Sequence, residues 1–133
     1  MAYQVDFEPI HRILRCRLGG HVTDDELRQY YRLAGDHVAQ AEPLAGILDL
    51  TDVTSFDVSP DTIRHLARSR SPFPNPDHPR IVIAPSSAVF GFARMFEMEG
   101  QEKRPNLHVV RSEKEAFAIL GVRDADFAPV QFR

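Results

Sequence analysis

Residues 3 to 8 alternate Tyr3, Val5 and Phe7 with Gln4, Asp6 and Glu8, and after Pro9 a second alternation sets Leu14, Cys16 and Leu18 against Ile13, Arg15 and Arg17. A period of two predicts a β-hairpin with one apolar and one wet face, on which Arg15 and Arg17 pair across the strands with Asp6 or Glu8. Gly19 and Gly20 are expected to end the second strand. Thr23-Asp24-Asp25-Glu26 then spells a capping box, and Leu27, Tyr30, Tyr31, Ala34 and Val38 follow at helical spacing. That helix should run to about Ala41, with Pro43 as its stop. Gly46 to Leu50 is an apolar run of the kind covered on both faces, with Asp49 as its polar exception.

Ser59-Pro60 is an N-cap followed by proline at the first helical position, and Ile63, Leu66 and Ala67 give the second helix its stripe. Residues 71 to 79 carry four prolines and predict a stiff extended loop. A buried strand follows at 80 to 84. Ser86 and Ser87 are caps of a third helix that runs to about Glu99, with Gly100 beyond it. Residues 107 to 111 read as the last strand, and Ser112-Glu113-Lys114-Glu115 opens a final helix closed by Gly121. Residues 1 to 121 thus form one α/β domain of order ββαβαβαβα. Right-handed crossovers predict a mixed, mostly parallel five-stranded sheet, with an antiparallel edge strand and helices on both faces. Residues 122 to 133 form a tail without clear period, whose Phe127, Val130 and Phe132 are expected to pack on the body or on a partner.

Composition narrows the function classes. A length of 133 residues is one domain, and a net charge of -3, from 16 basic against 19 acidic residues, lacks the footprint of a nucleic-acid binder. The single Cys16 excludes an internal disulfide and a cysteine zinc cage. The N-terminus is acidic where a signal peptide is basic, and no apolar stretch is long enough to span a bilayer. A cytoplasmic protein is expected. The six histidines never fall three or four apart, so neither a metal nor another cofactor is expected.

In a parallel sheet the loops after the strands converge on one rim, where ligands bind. Here that rim collects Gly19, Gly20 and His21, then Asp52, Thr54, Asp57 and Ser59, then Ser86, Ser87 and Arg111. Helix N-termini at such a rim favour an anion or a partner, although Ser59, Ser86 and Ser112 are also explained as caps. A hydrolase would combine Ser59 or Ser86 with His65 or His21 and Asp52 or Asp57. No Gly-x-Ser-x-Gly elbow surrounds any serine, and no catalytic residue is assigned. Gly19-Gly20 has neither the dinucleotide nor the Walker spacing. The third helix is apolar beyond one core face: Val89, Phe92, Ala93 and Phe96 make the stripe, while Phe90, Gly91, Met95 and Met98 add a second apolar side beside Arg94 and Glu97. Either that side packs deeply beneath the Pro-rich loop and the C-terminal tail, or it is a second surface, for a second copy of the chain in a homodimer or as a groove in which Arg94 meets the head group of a lipid or small apolar anion.

Residues 50 to 59, Leu-Thr-Asp-Val-Thr-Ser-Phe-Asp-Val-Ser, resemble the strand-to-helix switch of the STAS domain, the fold of anti-sigma-factor antagonists, and the element order matches along nearly the whole chain. Phe90-Gly91-Phe92-Ala93-Arg94-Met95-Phe96, with Arg80 before one strand and Ser112 to Phe117 after another, is similar to a group of small bacterial STAS-like proteins, whose sheet is also likened to Sec14-type lipid-binding domains. The resemblance implies a non-enzymatic regulatory domain that binds a protein partner through the switch-loop rim, the third helix or both; the alternative is a small-molecule or lipid-binding module. It also implies a phosphorylated serine after the switch aspartate. Aligned on Asp57, Val58 stands at that place, Ser59 follows one residue late and Pro60 replaces the expected glycine, so Ser59 is the candidate for phosphorylation.

Overall fold

A computed structural model describes residues 1 to 130, so Phe132 lies outside the described residues. The chain forms β1 (Ala2–Glu8), β2 (Ile13–Thr23), α1 (Asp24–Ala41), β3 (Ala45–Asp57), α2 (Pro60–Arg68), β4 (Arg80–Ile83), α3 (Ser87–Glu99), β5 (Leu107–Val110), α4 (Glu113–Leu120) and β6 (Ala128–Pro129). The sheet order is β5-β4-β3-β2-β1-β6. The four strands from β2 to β5 pair in parallel, and β1 is antiparallel to both of its neighbours. The mixed, mostly parallel α/β sheet expected from the sequence is therefore present. It has six strands rather than five, because Ala128 and Pro129 pair with Phe7 and Asp6 and the Val130 N–H donates to the Val5 carbonyl at 2.8 Å. The hairpin strand β1 thus lies one place in from the edge.

Helices cover both faces unequally. On one face Leu14, Cys16, Leu18, Leu50 and Val82 form a core with Leu27, Ala34 and Val38 of α1, Ile63 and Leu66 of α2, and Val89 and Ala93 of α3. On the other, Ile13, Ile47, Ile81, Ile83 and Val110 pack with Ala116 of α4 and Val122. No helix among the described residues is long and apolar enough to cross a membrane.

Two local expectations are corrected. The hairpin's polar face is dry at its centre, where Arg15 is 8% exposed and Asp6 2%, while Gln4 is exposed and Arg17 half-buried. The Arg15 Nε and Nη2 both donate to Asp6 Oδ2, at 3.2 and 3.0 Å, and Arg17 Nη2 reaches the same oxygen at 3.2 Å. Phe127, from the chain after α4, lies 3.9 Å beneath the Arg15 guanidinium. A buried charge needs a paired, hydrogen-bonded partner, and this carboxylate supplies it. Second, Gly19-Gly20 does not end β2. The strand runs on to Thr23 beside a β3 that reaches Asp57, so residues 51 to 57 are strand rather than switch loop. Two register shifts fit six steps of β2, Arg17 to Thr23, against eight of β3, Asp49 to Asp57. Gly20, at φ 76°, supplies the left-handed conformation that one of these bulges requires.

The Pro-rich loop after α2 folds back over the sheet. Its Phe73 ring occupies the space where a Cβ on Gly46 would stand, so β3 needs glycine there.

The turn between β1 and β2 is closed by Glu8, 1% exposed. Its carboxylate accepts the Ile10 and His11 N–H groups at 2.9 and 2.7 Å and lies 2.9 Å from His11 Nδ1. Burial pushes the carboxyl pKa up, but the hydrogen bonds from His11 and Ile10 outweigh it and hold the group below 4.5. A carboxylate whose folded pKa is depressed contributes stability above its unfolded pKa and loses it as pH falls through the folded value. Wild type should therefore melt above Glu8→Gln by a gap that is constant near neutral pH and narrows below about pH 4.5. Circular dichroism melts between about pH 7 and about pH 3 check this, and a gap independent of pH would refute it.

Candidate functional site

The overshoot of β2 and β3 beyond β4 builds the site. Thr23 closes β2 and caps α1: its Oγ1 accepts the Glu26 N–H at 3.4 Å, while Glu26 Oε1 accepts the Thr23 N–H at 3.3 Å. Asp57 is the register partner of Thr23, so β3 delivers Val58 and Ser59 beside the first turn of α1. Ser59 caps α2, its Oγ accepting the Thr62 N–H at 3.2 Å and donating to Thr62 Oγ1 at 3.0 Å. The Ser59 N–H donates to Asp24 Oδ1 at 2.8 Å, which ties the start of α2 to the start of α1. This bond, with a smaller opposing push from burial, holds the Asp24 carboxyl below its ordinary value. Arg28 extends Nη1 to Asp25 at 2.9 Å and Nη2 to Thr62 Oγ1 at 3.2 Å. The result is an open groove lined by Thr23, Asp24, Asp25, Arg28, Asp57 and Ser59.

The other rim residues fall elsewhere. Asp52 is exposed on β3 opposite Gly19, and Thr54 is exposed at the second register shift, between the partners of Gly20 and His21. Ser86 caps α3 through a bond from the Val89 N–H at 3.3 Å, and Ser87 begins that helix. Both follow β4, which ends opposite Asp49, and neither lines the groove. His21 Nδ1 lies 2.7 Å from Ser55 Oγ, an exposed cross-strand pair. No bond among the described residues joins His21 or His65 to Ser59 or Ser86. Asp24, Asp25 and Arg28 were not singled out from the sequence. The capping box explained Asp24 and Asp25 as helix-start residues, Arg28 carried no signal, and the approach of this turn to Ser59 is a tertiary fact.

On α3, Val89 and Ala93 are buried. Phe92 packs against Phe56, the rings tilted by 49° with centroids 5.2 Å apart, and the Phe96 ring lies 6.2 Å from that of Tyr31. Phe90 is half-buried, with the Arg111 guanidinium 4.1 Å above its ring, and Met95 is half-buried against the larger core. Arg94 is exposed and bonded to Glu97. Of the apolar candidates on this helix, Met98 is the one that faces solvent, at 64% exposure.

Solved structures share this fold. An anti-sigma factor antagonist, SpoIIAA in its unphosphorylated form, superposes with a TM-score of 0.60 at 15% identity, covering 92% of this chain and 100% of that one. The Bacillus cell fate determinant SpoIIAA in its phosphorylated form does so with a TM-score of 0.55 at 16% identity, covering 90% and 99%. This is the STAS fold. No family model matches the chain, and no curated protein matches it significantly. Within the STAS fold of this chain, the groove stands where the strand-to-helix connection after β3 meets the start of α1.

The Ser59 hydroxyl is engaged at both ends as a cap, which makes its contribution measurable. Ser59→Ala should lower stability by about 1 kcal/mol, whereas Ser59→Gly should cost a few tenths. Urea denaturation checks this, and equal losses for the two variants would show that the cap bond is not the cause.

Proposed function

We propose that the chain is a non-enzymatic, cytoplasmic regulatory module that binds a protein partner through the groove between the first turns of α1 and α2. The observation that supports this reading is the stitching of Asp24 to Ser59 at the end of the β2–β3 ladder, in a fold shared over nine-tenths of the chain with an anti-sigma factor antagonist. Asp24, Asp25 and Asp57 outnumber the single cation Arg28 in the groove, so a partner segment bearing Lys or Arg fits it. Asp52 and Thr54 extend the same strand edge, and Ser86 and Ser87 are a separate, secondary contact. Ser59 is the exposed hydroxyl of the groove. A phosphoryl group there would meet the N-terminus of α2, which tolerates an anion, and would also face Asp24. Modification would therefore act on the bond between the two helix starts, and through it on the shape of the groove.

Affinity capture from a lysate of the protein's own cells tests this. Wild type should retain a protein, and Asp57→Lys should retain about tenfold less, equivalent to about 1.4 kcal/mol, with an unchanged melting curve. Equal recovery by both proteins, or recovery of lipid without protein, would overturn the reading.

Exposed Met98 favours a second contact, in which α3 meets a second copy of the chain. Arg94 already has Glu97 as its counter-ion, which counts against its holding an anionic head group beside Phe90 and Met95. Because Met95 is packed against the core, Met98 is the cleaner position to probe. Met98→Glu should turn a dimer into a monomer by light scattering with the fold intact, and an unchanged mass would remove α3 as a self-association surface.

A further inference from the structure

The larger core leaves space unfilled in a line along β3. One cavity of about 70 Å³ lies between Gly46 and Leu48 of that strand and Ala34 and Val38 of α1. A second, of about 60 Å³, lies further along β3, beside Leu50, Phe56, Val89 and Phe92. Leu48, Val82, Tyr31 and Phe96 line both. Leu48 and Val82 are register partners on β3 and β4 and form a common floor, while the rings of Tyr31 on α1 and Phe96 on α3, 6.2 Å apart, belong to the helical side. The cavities are thus neighbouring chambers parted by side chains.

An open groove on the surface, between α1 and the Pro-rich loop, shares Val38, Pro72 and Phe73 with the first chamber. Phe73 is the door between them, because its half-buried ring rests on Gly46, where a Cβ would exclude it. Groove, first chamber and second chamber therefore follow one another from solvent into the core. Close-packed interiors hold few voids larger than a water, and each void costs stability. The walls of the second chamber are wholly apolar and those of the first chiefly so. Such space stays dry and takes apolar matter. An apolar cavity of about 150 Å³ admits a benzene ring, and each chamber here is less than half that size. A ring is too wide for them, but a chain one methylene thick is not, and from Gly46 to Leu50 the floor runs for about 13 Å.

We propose that this core binds the single unbranched alkyl chain of an amphiphile, which enters past Phe73, threads both chambers along β3 and leaves its polar end in the outer groove, where Glu42, Arg70 and His78 stand. Tyr31 is tethered through its hydroxyl to Arg104 Nη2, so the ring that yields between the chambers is that of Phe96. The site shares no residue with the groove at Ser59, so it stands independently of the partner proposed there.

Unbranched 1-alkanols are the probe, titrated into the wild-type protein while methyl ¹H–¹³C spectra are recorded. 1-Propanol should move the Leu14 and Leu107 signals of the first chamber and leave Leu50 and Val89 of the second in place, whereas 1-octanol should move all four and saturate. Each methylene added between the two should tighten binding about fourfold, the ratio expected for taking one such group out of water. Ala93→Leu, which fills part of the second chamber, should leave propanol binding unchanged and weaken octanol binding about tenfold. Octanol shifts confined to the exposed Leu44 and Met98, affinities that do not rise with chain length, or octanol binding by Ala93→Leu equal to that of the wild type would each overturn the proposal. If the variant fails to fold, the wild-type spectra decide alone.

Discussion

The parallel ladder between β2 and β3 is the constraint on which the rest of the molecule depends. It runs from the pairing of Ile13 with Ala45 to that of Thr23 with Asp57, while β4 accompanies β3 only from Gly46 to Asp49. Beyond Asp49 the extension of β3 is held by β2 on one side and by packing such as that of Phe56 on Phe92. Since side chains alternate faces along a strand, a slip of one residue would turn Val22 and Phe56 out of the core. The two register shifts hold that pattern while eight steps of one strand match six of the other. Because both strands end level, α1 and α2 begin side by side, and Asp24 reaches the Ser59 amide.

The helix starts were legible in the sequence because caps are local. Thr23, Ser59, Ser86 and Ser112 each accept the backbone N–H that the capping pattern requires. The ladder's extension was not legible, and the reason is also physical. Its inward residues are Val53, Phe56 and Val58, a spacing of three and then two, because a bulge inserts a residue and breaks the period. Gly19 and Gly20 add a second misleading signal. Glycine reads as a strand breaker, yet here Gly20 provides a bulge conformation and Gly19 leaves room beside Asp52, whose Cβ would stand 3.3 Å from a Cβ at that position. The candidate site was thus half visible: Asp57 and Ser59 stood out, and the α1 residues that complete the groove did not.

The second face of the sheet shows a different limit of pattern reading. Alternation correctly put Asp6, Arg15 and Arg17 on one side of the hairpin and paired them. It could not say whether that side meets water, because α4 and the chain after it arrive from far along the sequence. Phe127 beneath Arg15 replaces solvent with an aromatic ring, and the attraction between Asp6 and its two arginines is screened far less than it would be at a surface. What looks like a solvated polar face is a largely buried ion cluster, in which two Arg15 nitrogens and one Arg17 nitrogen converge on a single oxygen of Asp6.

Arg80 and Arg104 carry this reasoning to its end, for the two look alike in sequence and are buried to nearly the same degree. Arg104 completes the C-terminal end of α2, where the terminal carbonyls of Leu66 and Ala67 and the helix dipole welcome a cation. Arg80 opens β4 with two of its donor nitrogens, Nε and Nη2, buried and unpartnered. Burial, with repulsion from Arg104, lowers its pKa to about 10, so it stays charged at neutral pH. A buried cation with no carboxylate beside it does not recover the hydration it lost, and it costs the fold stability. The Arg80 amide donates to the Asn106 carbonyl and the Gly46 amide to the Pro79 carbonyl, at 3.0 and 3.1 Å. The cost carried by Arg80 therefore falls where β3, β4 and the Pro-rich loop are joined.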